Sequence, residues 1–260
     1  MAEASLDSAM VAEIPDIEQL VTEDEQPVDN MFSAKQQRLL VEPLYTSWHP
    51  DQPFLADANV GIFNSVYQPP IVPDMWLSLD VQAEPDLWKK ENRAYLMWKF
   101  GKPPEVAIEI VSHTKSCETE QKFRKYAQIG VSYYVVFDPQ RLVQPETLRT
   151  YVLSVRRYVP LETRHFPDIG LGLLLWDGVY ENIAAQWLRW CDLDGNLILT
   201  GSELAFQATQ HAAQERQRAE QECQRAEQER QRAEQERQRA ERLTAQLRAL
   251  GIEPERAAAH

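Results

Sequence analysis

A helical segment between two apolar segments near the middle of the chain constrains the fold most. Val106 to Val111 and Val131 to Phe137 are short runs rich in β-branched and aromatic residues, which is typical of strands buried on both faces. Cys117 to Ile129, between them, has the apolar spacing of a helix and ends before Gly130. A strand, a helix and a strand in this order predict an α/β fold with a covered sheet.

Further elements are expected on both sides of this unit. The sequence predicts a helix over Lys35 to Leu44, a strand over Phe54 to Phe63 and a strand over Val72 to Val81, in which apolar residues alternate. The remainder to Leu199 is predicted to be rich in strands, with a hairpin turn at Asp194-Gly195. Together these elements are long enough to form one domain with its own core.

The chain divides by composition into four parts. We expect an acidic, disordered tail at 1–30, a globular domain at 31–205, a charged heptad-repeat helix at 206–250 and a flexible C-terminus at 251–260. The first 34 residues carry nine acidic side chains and no basic one. A segment with so much charge of one sign and so few aromatic residues does not build a core.

The charged helix is predicted from a repeat. The heptad QERQRAE occurs four times in tandem from Gln214 to Glu241, once with Cys223 in place of arginine. Alanine is the only apolar residue of each heptad, until leucines follow at Leu243, Leu247 and Leu250. The pattern leaves two structures open. One is a solvated single helix with pairs of opposite charges three or four residues apart, and the other is a coiled coil that joins two chains into a homodimer.

Composition and cysteine spacing exclude several classes of protein. The formal net charge is −13, and the sequence shows no broad basic face for nucleic acid. A cleft can still be locally basic on an acidic protein, so nucleic-acid binding is not excluded. The three cysteines are far apart and form no CxxC pair, so they cannot build a disulfide framework or a zinc cluster. No apolar run approaches the roughly 20 residues that span a bilayer. We therefore expect a soluble, cytoplasmic protein that does not bind membranes.

Glu109 is the first candidate for chemistry. It lies within the apolar strand Val106 to Val111, where an unpaired buried charge costs several kcal/mol. A carboxylate in that environment is expected to face a cation, a metal ion or a water-filled cleft. The alternative is an edge strand with Glu109 in solvent.

Lys122 lies on the apolar side of the predicted helix. At 100° per residue it falls among the residues that should face the sheet, with Tyr126 one turn further and Glu118 at the edge of the apolar arc. The sequence therefore predicts that the ammonium of Lys122 points toward the sheet. One alternative is that only the aliphatic part of Lys122 is buried while its ammonium reaches solvent. The other is a surface ion pair between Glu118 and Lys122.

Asp74 is the third candidate. It follows Pro73 at the start of a predicted strand, where an aspartate usually caps a turn. Together with Glu109 and Lys122 it gives two carboxylates from two strands and an ammonium aimed at the same sheet. Hard oxygen ligands and a cation near the attacking water are the groups that Mg²⁺-dependent phosphodiester hydrolysis needs.

The segments PPIVPDMWLSLDV, GKPPEVAIEIVS, KFRKYAQIGVSYYVVFDP and WLRWCDLDGNLILTGSE resemble the Uma family of restriction-endonuclease domains in the PD-(D/E)XK superfamily. The similarity runs from about Lys35 to Glu203. It implies a restriction-endonuclease-like mixed sheet flanked by helices, here followed by the long charged C-terminal helix, with Asp74 and Glu109 as the acidic residues of the motif. The chain departs from the motif at Val111, where the superfamily has lysine.

The resemblance also implies an activity, a Mg²⁺-dependent endodeoxyribonuclease with DNA as its partner. Asp74, Glu109 and the backbone carbonyl of Ile110 would hold Mg²⁺ or Mn²⁺. Lys122 would orient or acidify the attacking water in place of the strand lysine. Lys122 and Tyr126 match the family's Lys-x-x-x-Tyr arrangement, and Tyr126 and Glu118 are expected to support the site. The rival hypothesis is a catalytically silent, endonuclease-like scaffold that recruits partners through its C-terminal helix.

Other polar residues are weaker candidates. His113, Lys99, Lys102 and Lys115 could contact substrate, but solvated loop residues are the simpler interpretation. The acidic and amide residues of a second motif match the spacing of a calcium loop: Asp192, Asp194, Asn196 and Glu203. Leu197 stands where that loop requires glycine, so a β-hairpin is favoured there.

Overall fold

The computed structural model describes residues 30–112 and 116–249, and of residues 116–119 it describes the backbone alone. The chain divides into two units, residues 1–201 and 202–260. The predicted acidic tail, apart from Asn30, and the expected C-terminal segment 251–260 lie outside the described residues. Within the described residues, no helix combines the length and apolar character needed to cross a membrane.

Helices and strands are interspersed up to residue 129, and six consecutive strands then precede the last helix. They are α1 (Met31–Ser47), β1 (Phe54–Asp57), β2 (Ile62–Phe63), β3 (Met75–Leu79), a 3₁₀ turn (Lys90–Asn92), β4 (Tyr95–Leu96), α2 (Met97–Phe100), β5 (Val106–Ile110), α3 (Ser116–Ile129), β6 (Tyr133–Phe137), β7 (Leu148–Ser154), β8 (Arg157–Pro160), β9 (His165–Phe166), β10 (Leu171–Tyr180), β11 (Ile183–Cys191) and α4 (Gly201–Ala249).

A mixed six-stranded sheet forms the centre of the first unit. Its strand order is β1-β3-β5-β6-β7-β8. Strands β5 and β6 are parallel and are connected through α3, whereas the other neighbouring pairs are antiparallel. A smaller antiparallel sheet has the order β11-β10-β9. The predicted α/β class, with a mixed sheet and a long C-terminal helix, is confirmed.

Both faces of the central sheet are covered, and successive side chains alternate between them. Met75 and Ile108 face one side, where they pack with Leu40 of α1 and with the β10–β11 hairpin. Trp76 and Tyr134 face the other side, where α3 covers them. All five residues of β5 and of β6 are buried, which explains their continuous apolar sequences.

The element predictions need two corrections. The strand predicted over Phe54 to Phe63 is wrong, because the chain turns at Asn59, whose φ is 56°, and its two ends join different sheets as β1 and β2. The strand predicted over Val72 to Val81 is shorter, Met75–Leu79. All five of its residues are buried, so the alternation that the sequence suggested does not separate a wet face from a dry one.

The C-terminal helix α4 extends for 49 residues. It begins at Gly201, five residues before the predicted boundary, and within the described helix no residue is buried. Its polar side chains bond to one another along the helix, as between Gln231 and Glu227 and between Arg237 and Glu234. Such pairs stabilise an exposed helix by a few tenths of a kcal/mol each, roughly. The prediction of a long charged helix is confirmed, and the homodimer stays a prediction.

Candidate active site

Two carboxylates from neighbouring strands face each other on the α3 side of the sheet. Strands β3 and β5 are antiparallel with Met75 opposite Ile108, and one further step of this register puts Asp74 opposite Glu109. Opposed residues on antiparallel strands project to the same face. Asp74 is held at this position because its Oδ2 accepts a 2.6 Å hydrogen bond from the backbone N–H of Ile110.

Helix α3 brings an ammonium and a phenol to the carboxylate of Glu109. The Nζ of Lys122 donates to Oε2 of Glu109 at 2.7 Å and to the backbone oxygen of Val72 at 3.2 Å. The hydroxyl of Tyr126 donates to Oε1 of Glu109 at 2.6 Å. Residues four apart lie on the same face of a helix, and this spacing lets Lys122 and Tyr126 reach the two oxygens of one side chain.

Burial dominates the electrostatics of Glu109. The residue is 7% exposed, and desolvation raises its pKa to about 7 from an ordinary 4.5. The ammonium of Lys122 lowers this pKa and the nearby Asp74 raises it, so the attraction only partly offsets the burial. Burial and the adjacent Glu109 raise the pKa of Tyr126 well above its usual value. Tyr126 is therefore a hydrogen-bond donor throughout the physiological pH range.

The backbone of Ile110 points to the same edge of β5 as Asp74. Within a strand, the N–H and C=O of one residue leave on the same side, and those of the next residue leave on the other. Since the N–H of Ile110 bonds to Asp74, its carbonyl oxygen is directed to that edge as well. The arrangement can present two carboxylates and one carbonyl, all hard oxygen donors, to a divalent cation.

Sequence reasoning did not include Gln37. Its Nε2 donates to Oδ1 of Asp74 at 3.0 Å, and its side chain exchanges hydrogen bonds with Asn59 at 3.3 Å and 3.1 Å. Gln37 lies in α1 and is 5% exposed. The sequence contained a sign that Gln37 is buried, because a position three residues before Leu40 belongs to the same buried face of the helix. A buried amide needs polar partners, so Gln37 could have been expected to bond to another polar side chain.

The structure brings Asp74, Glu109, Lys122 and Tyr126 together. It also excludes the alternative that Glu109 lies on a solvated edge strand, because β5 is an internal strand. The side chain of Glu118 lies outside the described residues, as do His113 and Lys115.

The two remaining lysine candidates have other neighbours. Lys102 pairs with Glu105, which also accepts a hydrogen bond from the N–H of Leu79, at the opposite end of β3 from Asp74. Lys99 donates to Asn92, and both line a separate cavity beside Trp88. Neither lysine is therefore part of the cluster around Glu109.

The turn that resembles a calcium loop is satisfied by its own hydrogen bonds. Oδ1 of Asp192 accepts from the N–H groups of Asp194 and Asn196 at 3.0 Å and 2.8 Å, and Gly195 takes a φ of 88°. Cys191 and Leu197 form an antiparallel bridge across the turn, which confirms the hairpin interpretation. Among the described residues, no group of three or more His, Cys, Asp or Glu is arranged to hold a metal ion.

Comparison with known proteins identifies a family. A family model described as "Uma2: Putative restriction endonuclease" matches residues 23–176, which is more than half of the chain. The matched range contains Asp74, Glu109 and Lys122. No curated protein matches the sequence.

Proposed function

The chain belongs to the Uma2 family, and from its cluster of charged groups we propose that it is a divalent-metal-dependent endonuclease that hydrolyses phosphodiester bonds of DNA. One observation carries the proposal. Asp74 and Glu109 lie opposite each other on two strands, and Lys122 of α3 donates to Glu109 at 2.7 Å. A carboxylate pair with an ammonium is suited to binding a metal ion and a phosphate at one point.

The donor set fits Mg²⁺ or Mn²⁺. Asp74, Glu109 and the carbonyl of Ile110 would hold the ion, since these hard oxygen donors belong to facing positions of β3 and β5. When bound, such an ion stabilises negative charge on a phosphate and lowers the pKa of a bound water. Because Lys122 already donates to Oε2 of Glu109, this ammonium and a divalent ion compete for that oxygen. The lysine is therefore expected to turn toward the substrate phosphate when Glu109 binds a cation.

The residues of the chain have distinct roles in this proposal. Burial raises the pKa of Glu109 to about 7 in the metal-free protein, and a bound divalent cation would favour its charged form, in which it can act as a ligand. Tyr126 fixes Oε1 of Glu109, and Gln37 fixes Oδ1 of Asp74, so both carboxylates are oriented before substrate binds. Lys122 supplies the positive charge beside the attacking water or the phosphate.

The test is a nuclease assay on single-stranded and double-stranded DNA and RNA with Mg²⁺, Mn²⁺ or EDTA. Asp74→Asn should remove metal-dependent cleavage. The matched control is Asp80→Asn, because Asp80 is an exposed aspartate just beyond the other end of β3 and takes a φ of 52° that asparagine tolerates. If wild-type protein cleaves nothing with either metal, or if Asp74→Asn cleaves as fast as Asp80→Asn, the proposal is wrong.

A non-catalytic scaffold is the second candidate. The observation in its favour is α4, whose described residues include no buried side chain over 49 residues, leaving a long charged surface for a partner. A thermal-shift titration with Mn²⁺ separates the two functions. Stabilisation of the wild type that is lost in Asp74→Asn supports the enzyme, whereas an unchanged melting temperature in both proteins supports the scaffold.

A further inference from the structure

A cavity of about 450 Å³ lies on the α3 side of the sheet. Its walls include three aromatic rings and three longer polar side chains, those of Phe123, Tyr134, Tyr151, Arg124, Gln144 and Arg149. The volume is within the range of about 300–1,000 Å³ that is typical of small-molecule sites. The combination of aromatic rings with two guanidinium groups is more specific than the volume, because rings stack on heterocycles and arginine binds phosphate. Glu120 also lines the cavity and Arg149 pairs with Glu146, so a bound phosphate would have to compete with Glu146 for Arg149.

The cavity lies beside the candidate active site on the same face of the sheet, two strands away. Glu109 lies beside Val136 in the parallel register of β5 and β6, and Val136 lies opposite Arg149 in the antiparallel register of β6 and β7. Neighbouring strands are about 4.8 Å apart, so the backbone of Arg149 is roughly 10 Å from that of Glu109. The ring centroid of Tyr134 is 5.3 Å from that of Tyr126, which itself bonds to Glu109. One nucleotide can span this separation.

One wall of the cavity is held in a fixed conformation. Asp138 is fully buried, and its carboxylate accepts hydrogen bonds from the backbone N–H groups of Leu142, Val143 and Gln144 at 2.9, 2.8 and 3.2 Å. The side chain of Gln144 then donates to the carbonyl of Val136 at 3.3 Å. A loop tied in this way forms a binding surface without first having to order itself.

Tyr134 provides a polar group that the described protein does not use. The residue is fully buried, and among the described residues its hydroxyl has no hydrogen-bond partner. A buried hydroxyl without a partner destabilises the fold, and such groups are rare unless a ligand or water satisfies them. Burial raises the pKa of this phenol well above its usual value, so it keeps its proton, and it can donate to a ligand that displaces the side chains covering it.

We propose that this cavity binds one unpaired nucleotide of the strand that is cut, with its base against the aromatic rings and its phosphate near Arg124 and Arg149. The inference rests on the proposed nuclease function and specifies its substrate class. A base that lies in a cavity cannot remain paired in a duplex. The substrate is therefore a single strand, or a strand with an unpaired nucleotide next to the scissile phosphate.

Fluorescence anisotropy in EDTA tests binding without cleavage. The probes are a fluorescein-labelled oligonucleotide of roughly 15 residues, as DNA and as RNA, and the matching blunt duplex, at one fixed salt concentration. We expect the full-length protein to bind a single strand about tenfold more tightly than the duplex. Tyr134→Phe and Arg124→Gln should each weaken single-strand binding by about 3-fold to 30-fold. Lys125→Gln is the control. Lys125 is the exposed neighbour of Arg124 on α3, and this substitution removes one positive charge, as Arg124→Gln does.

Tyr134→Phe keeps the ring and removes only the unpartnered hydroxyl, so its melting temperature should equal or exceed that of the wild type. Equal affinity for duplex and single strand, no binding to either, or variants that bind as tightly as Lys125→Gln would each overturn the inference. If the protein cleaves DNA but Tyr134→Phe, Arg124→Gln and Lys125→Gln all bind single strands as tightly as the wild type, the nuclease function stands and the proposed nucleotide site is wrong. If the protein binds single strands through Tyr134 and Arg124 but cleaves no nucleic acid, the proposed nucleotide site stands and the nuclease function is wrong.

Discussion

The ammonium of Lys122 lies 2.7 Å from Oε2 of Glu109, although the two residues are thirteen positions apart and belong to a helix and a strand. At position 111, where the motif that the sequence resembles would place lysine, this chain has Val111. The contact shows that a lysine on α3 can deliver its charge to the carboxylate that a strand lysine would otherwise neighbour. Removing or moving that charge tests whether it acts in catalysis.

The first prediction concerns Lys122. Lys122→Ala should lower the rate of cleavage by about two to four orders of magnitude, the range typical of removing one catalytic or charge-stabilising group. Lys122→Arg should recover little, because a guanidinium is bulkier and donates from a different point. Metal binding should survive in Lys122→Ala, since both carboxylates remain, and a Mn²⁺ thermal shift measures it. Cleavage at the wild-type rate in Lys122→Ala would remove the lysine from the mechanism.

A double variant tests the position of the charge directly. Val111→Lys combined with Lys122→Ala returns an ammonium to the strand, two residues from Glu109 and on the same face. We expect the double variant to cleave faster than Lys122→Ala alone and more slowly than the wild type. Steady-state rates at saturating Mg²⁺ measure the recovery, and Val111→Lys alone shows whether a second lysine is harmful.

The second prediction concerns the carboxylates. Asp74→Asn and Glu109→Gln should each abolish metal-dependent cleavage while leaving the circular dichroism spectrum unchanged. Asp74 raises the pKa of Glu109, so neutralising either group relieves repulsion between like charges. Each amide also replaces one acceptor oxygen by a donor where the wild type accepts two hydrogen bonds, so the melting temperature in EDTA should fall only slightly. A large drop in melting temperature would show that the two residues are needed for folding rather than for chemistry.

The third prediction is a pH dependence of stability. Burial raises the pKa of Glu109 to about 7 in the folded protein, from an ordinary 4.5. Between these values the folded protein holds a proton that the unfolded chain has released, so the free energy of unfolding falls as pH rises. The stabilisation is complete below about pH 4.5 and is lost by about pH 7, a change on the order of 3 kcal/mol.

Urea denaturation in EDTA at several pH values measures this effect. Glu109→Gln cannot titrate, so its stability should change less between pH 5 and pH 8 than that of the wild type. Parallel curves for the two proteins would mean that Glu109 titrates normally.

The fourth prediction concerns the C-terminal helix. Deleting residues 206–260 should leave the melting temperature of the remaining protein and any nuclease activity nearly unchanged. Within the described part of α4, no residue is buried, so removing it takes away little apolar contact. Calorimetry and the nuclease assay on the truncated protein check this. Loss of folding on truncation would show that the helix is part of the domain.

The sequence predicted the parts of this molecule whose cause is local. Strands β5 and β6 were predictable because both of their faces are buried and their residues are apolar throughout. Glu109 was noticeable for the same reason, as a carboxylate in such a strand. The position of Lys122 followed from the helical period of a single segment.

The rest depends on contacts between distant segments. Gln37 and Asp74 are 37 residues apart, and no period within either segment shows that they meet. Strands β2 and β4 have two residues each, too few for any alternation to be visible. The turn at Asn59 separates β1 from β2 with a backbone conformation that apolar spacing does not record.

The register between β3 and β5 has a consequence for how the site can change during evolution. A shift of one residue would turn Asp74 away from Glu109 and would also move Met75 and Ile108 out of the core. The apolar residues that fix this register therefore also fix the distance between the two carboxylates, although their side chains lie on the opposite face of the sheet. Substitutions that preserve the alternation keep the pair together, so the site is inherited with the core and can survive wide divergence of the surface.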